Sequence, residues 1–320
     1  NVLSGAAGSG TTVHTIDQSI RFNEADNAYM HRTPSSSSNQ RTWTWSGWLK
    51  HTMTSTNGYH NIWTVRSGAS DFFEIAKRVT ATGDNQMHID NMTSGTRDIQ
   101  LITNRQFRDP SAWYHFVFVL DTTQAVASER VRFYVNGQRE TSFSTETYPS
   151  QNLDTFINTT NKHEIGAYNG GSGYMMDGYM AEITFIDGQA LDPSSFGEYN
   201  SSNIWIPKNV SGLTFGTNGF HIDGRDASDL GDDESGNGND FTTSGLAAHD
   251  QVLDSPTNNF STLNPLDNYY FAGTFKDGNL DVTTNGTTGN YTFCTSTQKI
   301  PTSGKWYTEV RAYEIGTGCY

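Results

Sequence analysis

Apolar and polar residues alternate in short runs from Ile16 to Pro207, the period of strands that bury one face. "SAWYHFVFVLD" (111–121) sets Tyr114, Phe116, Phe118 and Leu120 on one face. "RVRFYVNGQRETSF" (130–143) sets Val131, Phe133 and Val135 inward and turns at Asn136-Gly137, a pair suited to the positive φ of a tight hairpin. Further strands are predicted at 41–50, 61–67, 71–77, 86–90, 98–103 and 163–168. In "DGYMAEITFIDGQALDPSSFGEYN" (177–200), Tyr179, Ala181, Ile183 and Phe185 share one face, and Met180, Glu182, Thr184 and Ile186 the other. Asp187-Gly188 then predicts a turn, and Asp192 before Pro193 a capped single helical turn carrying Phe196. No segment sustains a period of 3.6. The prediction is an all-β antiparallel sandwich.

The pattern divides the chain. Residues 1–15 are small and Gly-rich, and predict a flexible N-terminal arm. The sandwich is expected to span 16–210. Residues 221–254 carry nine carboxylates against one Arg, and 211–254 are expected to form an acidic hinge. Alternation resumes after Ser255, at 278–284, 290–296 and 304–316. The 65 residues beyond Ser255 are short for a domain of about 100–150, so 255–320 is expected to be the start of a second, incomplete sandwich.

Charge narrows the partners. The formal net charge is −14 with no basic run, which disfavours nucleic acid and anionic membrane and favours divalent cations. No stretch has the roughly 18 apolar residues of a membrane-spanning helix. Two cysteines, Cys294 and Cys319, could form one bridge or stay free. Sequons at Asn91, Asn158, Asn285 and Asn290 arise readily in a chain so rich in Asn, Ser and Thr.

Four motifs in order, "WTWSGWLK", "SAWYHFVFVLD", "VRFYVNGQ" and "DGYMAEITFIDGQALDPSSFGEY", resemble the concanavalin A-like, laminin-G-like jelly roll. The matching positions are Trp113-Tyr114-His115-Phe116, Tyr134-Val135-Asn136-Gly137 and Gly178 to Phe185. "SIRFNEADNAYMHRTPSSSSNQRTWTWSGWLK", "IDGQALDPSSFGEY" and "DSPTNNFSTLNPLDN" also resemble virion proteins of marine tailed bacteriophages, and "SGKWYTEVRAYEIG" (303–316) the opening of a SPRY domain. That resemblance implies a non-enzymatic fibre or decoration protein on the virion surface that attaches to host glycan or receptor. It also implies a homo-oligomer, with a trimer expected, docked on other virion proteins through the N-terminal arm. A purely structural capsid or tail part, and a secreted glycan-active enzyme or adhesin, are the alternatives.

Some jelly rolls of this kind are glycosidases with an E-x-D-x-x-E strand, whose carboxylates flank the scissile bond. Here Glu182 is followed by Thr184 and Asp187, so two of the three positions differ. Glu309 and Glu314 lack a central Asp. Glu182 is therefore expected to be structural and the chain not an enzyme. For sugar binding, stacking rings with nearby acceptors are wanted, and the loop residues Tyr59, Tyr168, Asn169, Tyr174 and Asp177 are the candidates; Trp43, Trp45 and Trp113 are expected in the core. For calcium, the stretch "DGRDASDLGDDESGNGND" (223–240) offers Asp226, Asp229, Asp232, Asp233, Asn237, Asn239 and Asp240, with glycines that permit wrapping. A solvated acidic linker without metal is the alternative.

Overall fold

The computed structural model describes residues 13–52, 58–79, 84–171, 174–284, 292–300 and 302–312. It is 45% strand and 5% helix. Two eight-stranded antiparallel sheets form the body. Sheet A runs β10 (Gln138–Glu140), β9 (Val131–Val135), β8 (Tyr114–Asp121), β3 (Thr42–His51), β13 (Gly178–Asp187), β1 (Ser19–Phe22) and β18 (Gln251–Val252), with β16 (Phe220–Ile222) also pairing β13. Sheet B runs β11 (Phe143–Thr147), β7 (Thr96–Gln106), β6 (Gln86–Thr93), β5 (Asp71–Val79), β4 (Gly58–Gly68), β12 (His163–Ile165), β2 (Tyr29–Arg32) and β17 (Thr242–Ser244). This is a jelly-roll sandwich.

The main core lies between the sheets and holds the alternate residues read from sequence: Phe116, Phe118 and Leu120 of β8, and Val131, Phe133 and Val135 of β9. Trp43, Trp45 and Trp63 are buried in it, with Trp43 edge-on to Trp63 and Phe73. The Asn136-Gly137 hairpin forms as expected, with φ of 49° and 77°, and pairs Val135 with Gln138. Gly188 takes φ 84°, and Pro193 opens a short 3-10 turn, although the Asp192 side chain makes no cap hydrogen bond.

Strand β13 departs from the expected phase. Its register against β3 shifts between Ala181 and Thr184, and Glu182 sits there with φ 51°. One extra residue in a strand is a β-bulge, which moves everything beyond it to the opposite face. Met180, Ile183 and Phe185 therefore share the inner core, while Tyr179, Ala181 and Ile186 face outward. The backbone exception lies at the one residue that strict alternation could not flag.

The expected hinge at 211–254 is part of the sandwich. Its residues 220–222 extend sheet A, 242–244 extend sheet B and 251–252 pair with β1. Phe220, Ile222, Leu230 and Phe241 join the inner core. These apolar residues are few and spaced widely among Asp, Gly and Ser, which is why composition alone reads the stretch as a linker. A ribbon of β14 (Gly197–Tyr199) and β15 (Trp205–Pro207) lies over sheet A.

Beyond Ser255 the described residues form two ribbons: β19 (Leu263–Tyr270) with β22 (Thr292–Ser296), and β20 (Thr274–Lys276) with β21 (Asp281–Thr283). Residues 302–312, expected to start a strand, carry none. The described part of the arm, Val13 to Thr15, leads into a buried Ile16. Cys294 is free and half-buried; Cys319, Asn285, Asn290 and residues 1–12 lie outside the described residues.

Candidate functional site

The outer face of sheet B carries a line of polar residues that no single sequence segment reveals. Cross-strand register places Gln100, Asp90, Glu74, Thr64, Glu164, His31 and Thr242 side by side on β7, β6, β5, β4, β12, β2 and β17. His88 lies two residues from Asp90 on the same face, because successive side chains alternate. Five of these groups are buried, among them Glu74 at 7%, His88 at 1% and Asp90 at 0% exposure.

Above this floor lies a layer of tyrosine and arginine. The Tyr59 ring lies 5.4 Å from His88 and 5.6 Å from Tyr174, and Tyr174 lies 5.7 Å from Tyr168. Arg66 stacks 4.4 Å over Tyr168, and Arg78 lies 5.8 Å from Tyr59. Tyr174 is half exposed. Its loop is pinned to β4: the Asn61 backbone N–H and side-chain amide both donate to the Tyr174 carbonyl at 3.1 Å. Glu164 holds the same loop from below, accepting from the Gly170 N–H at 2.7 Å and pairing with Lys162 at 2.8 Å.

Electrostatics follow from burial. Glu74 is pushed up to about 7 by desolvation, against the pull of Arg97 and Arg66. His88 is pushed down to about 3 by desolvation, helped by Arg97 and Arg78. Asp90 pairs with Arg97, whose side chain is 38% exposed. Such a surface offers ring faces for stacking and guanidinium donors for hydroxyls, over a buried floor of carboxylates and a neutral imidazole.

Of the five sugar candidates, Tyr59, Tyr168 and Tyr174 come together. Asn169 is exposed in the adjoining loop in left-handed backbone, φ 54°. Asp177 does not join them. It is 6% exposed at the start of β13, and burial, reinforced by Glu24 and Asp277, raises its carboxyl to about 7. The sequence reading missed Glu74, His88, Asp90, Arg66, Arg78 and Arg97. The signal available was polar residues at outward positions of 71–77 and 86–90, and only the register reveals that they are neighbours.

The calcium candidates are occupied with holding their own loop. Asp233 accepts from the His221, Ser235 and Asn239 N–H groups at 2.8, 3.0 and 2.8 Å, and from the Ser235 hydroxyl at 2.8 Å. Asp226 closes on Ser228 and Asp229 on Gly231, and Asp240 accepts from the Asp233 N–H. The Asn237 and Asn239 amides donate to the carbonyls of Gly216, Thr217 and Gly219. Asp232 is half-buried at the loop's edge. Among the described residues no three of these carboxylates bring their oxygens within 4.8 Å of one another.

Glu182 faces the other way, on the outer side of sheet A. Its carboxylate lies 3.7 Å from His14 Nε2 and 3.5 Å from His221 Nε2, and His221 Nδ1 lies 2.9 Å from Thr184 Oγ1. The order hydroxyl, imidazole, carboxylate resembles a nucleophile with its base. Thr184 is 1% exposed, however, and the space beside it, bounded by Trp48, His115, Phe196 and Pro207, admits no water-sized sphere. Glu182 ties the chain at His14 to sheet A.

A family profile described as "Concanavalin A-like lectin/glucanases superfamily" matches residues 24–195, more than half of the chain. The protein belongs to that superfamily, in its laminin-G-like form. A search of curated protein sequences matched none. Among solved structures the chain is similar to a heptameric SAP-like pentraxin from Limulus polyphemus (14% identity, TM-score 0.38, 56% of this chain and 80% of that one). It is similar also to domains LG4-5 of the mouse laminin alpha1 chain (14%, 0.38, 58% and 46%). A third is full-length tailspike protein 2 of an Escherichia coli O157:H7 bacteriophage (12%, 0.38, 60% and 28%). The chain thus spans less than half the length of the last two.

Proposed function

We propose that the protein is a glycan-binding module whose ligand surface is the tyrosine and arginine layer on sheet B. The observation that carries this is the convergence of Tyr59, Tyr168 and Tyr174, from β4 and one loop, over a row of carboxylates. A sugar ring presents an apolar C–H face to a tyrosine and hydroxyl groups to guanidinium groups such as those of Arg66 and Arg78, so this surface matches both parts of it. Membership of a superfamily of lectins and glucanases fits the reading.

The module binds without hydrolysing. Glu182 lacks the E-x-D-x-x-E strand pattern of the glucanases, with Thr184 and Asp187 at the other two places where carboxylates would flank the scissile bond. Its setting, on the resemblance of its motifs to marine phage virion proteins, is the surface of a virion appendage, where a homotrimer presents the sandwich to the host and the 1–15 arm docks on the particle. Residues 255–320 are the start of a SPRY-like domain in this reading.

A glycan array with the 320-residue chain tests the binding. Ligands retained by wild type and lost together in Tyr168→Ala and Tyr174→Ala support it; no ligand, or ligands indifferent to both changes, overturns it. Release of reducing sugar from a bound glycan would replace the binder with an enzyme.

A further inference from the structure

We propose that Glu74, His88 and Asp90 form a site for a divalent transition-metal ion of the zinc class on the outer face of sheet B. The inference stands apart from the sugar reading, since it concerns the buried floor rather than the exposed rings.

The first observation is geometric. One donor atom from each of the three residues lies within 4.8 Å of those of the other two. His88 Nδ1 is 3.7 Å from Glu74 Oε1, and His88 Nε2 is 3.7 Å from Asp90 Oδ2. A separation of 3.7 Å is too long for a hydrogen bond. For the Nδ1–Oε1 pair it is close to the roughly 3.4 Å between two ligands of a tetrahedral ion bound at about 2.1 Å.

The second observation is that the imidazole nitrogen facing Glu74 lacks a partner. His88 Nδ1 and both Asp90 oxygens are buried with no hydrogen bond, although Asp90 Oδ2 is ion-paired with Arg97. His88 Nε2 has the Gln100 amide at 3.5 Å. This leaves Nδ1, the nitrogen facing Glu74, as the metal donor. Buried polar groups normally find partners, and one left without is costly. The cost is compounded here, because Glu74 and Asp90 are directly opposed across β5 and β6 and like charges in that register repel. A cation between them would satisfy all three residues.

The donor set selects the ion. One imidazole with two carboxylates suits zinc and its neighbours. Calcium and magnesium prefer all-oxygen shells with more ligands. Three protein donors leave a fourth position for water or a ligand hydroxyl.

The test uses the full chain stripped with EDTA. Zinc should raise the melting temperature progressively with its concentration, as binding to the folded state requires, while calcium at the same concentration should not. Cobalt, substituted for zinc, should give the visible absorption bands of imidazole and carboxylate coordination. His88→Gln and Glu74→Gln should each lose the cobalt bands and weaken zinc binding at least ~10-fold, since even an outer-shell partner of a ligand is worth about 10–100-fold in affinity. Glu74→Gln removes the opposed charge and should fold at least as well as wild type, so loss of metal there cannot be ascribed to unfolding. Asp232→Ala with Asp233→Ala, on the acidic loop, should retain the response. No zinc response in wild type, or one unchanged in Glu74→Gln and His88→Gln, overturns the site.

Discussion

The two sheets have the same alternating strands but opposite outer faces. On sheet A the outward positions are apolar: Val117, Val119, Tyr134 and Ile186 in one cluster, Trp48, Trp113, Tyr179 and Ala181 in another. The chain covers them with its own later segments, bringing Phe196, Val210 and Phe215 onto the first and Trp205 and Val252 onto the second. On sheet B most outward positions are polar, Phe72, Ala76 and Ile102 excepted, and no apolar cluster forms there among the described residues. An apolar outer face must be covered by protein, whereas a polar one can be left for a ligand. The alternation makes the sandwich. The chemistry of the second set of positions decides which face is structural and which is functional.

The largest break in that comparison should come from the cover of sheet A. Lys50 is fully buried, its ammonium held by Asp254 at 2.8 Å, Asn259 at 2.9 Å and the Phe260 carbonyl at 2.9 Å. Asp254 also accepts from Trp113 Nε1 at 3.0 Å. Asp254→Ala leaves a buried charge and an indole N–H unpaired, and should cost about 3–5 kcal/mol. Denaturant melts should show that loss, while glycan affinity extrapolated to the folded fraction stays at the wild-type value.

The reverse result is expected on sheet B. Tyr174→Ala removes a half-exposed ring and should leave the melting temperature within a few degrees of wild type. Binding to the glycan found by array should weaken roughly tenfold, about 1.4 kcal/mol, and titration calorimetry measures it. A Tyr174 variant that unfolds with unchanged affinity would reverse the roles assigned to the two faces.

Much of this contrast was legible in sequence, and the illegible part has one physical cause. The inner faces of β8 and β9 follow from strict alternation, and the Asn136-Gly137 turn from residues that tolerate positive φ. The phase of β13 did not follow, because a single bulged residue at Glu182 exchanges its faces without changing its composition. The acidic stretch resembles a hinge in sequence because its pairings to β13, β2 and β1 are long-range. The same holds for the site: Tyr59, Tyr168 and Tyr174 were visible as loop aromatics, while Glu74, His88 and Asp90 become neighbours only through strand register.

Titration gives a smaller and signed test of sheet A. His115 accepts from Trp205 Nε1 at 3.0 Å and bonds Ser46 Oγ at 2.8 Å, and full burial lowers it to about 3. The unfolded chain takes up that proton near 6.5 and the folded chain does not. The stability His115 contributes is thus present above pH 6.5 and lost as pH falls toward 3, by up to about 1.4 kcal/mol per pH unit. His115→Gln should flatten the acid limb of the stability profile by that amount. His14 acts in the opposite sense. The Glu182 carboxylate 3.7 Å away raises it above 6.5, so its contribution is present below pH 6.5 and fades as pH rises through the raised value. Proteolysis of the N-terminal segment should accelerate on that alkaline side, and Glu182→Gln should remove the dependence.

The smallest effect is expected at the rim, where the acidic loop joins the two sheets through β16 and β17. Asp233 is 7% exposed and spends both oxygens on the loop's own N–H and hydroxyl groups. Asp232, beside it, has no such duty: desolvation first, and then its neighbours Asp240, Asp229 and Asp226, raise its carboxyl, and the neighbours' part is mutual repulsion. Replacing Asp232 with Ala removes one of these like charges and should change stability by no more than about 0.5 kcal/mol, the range of ordinary surface substitutions. Millimolar calcium should leave the melting temperature of wild type and Asp232→Ala alike, because oxygens already engaged by the loop are not free to encircle an ion. A calcium-dependent rise in wild type that Asp232→Ala abolishes would place a cation at the rim, and the division between a covered face and a ligand face would then need a third, ion-binding edge between them.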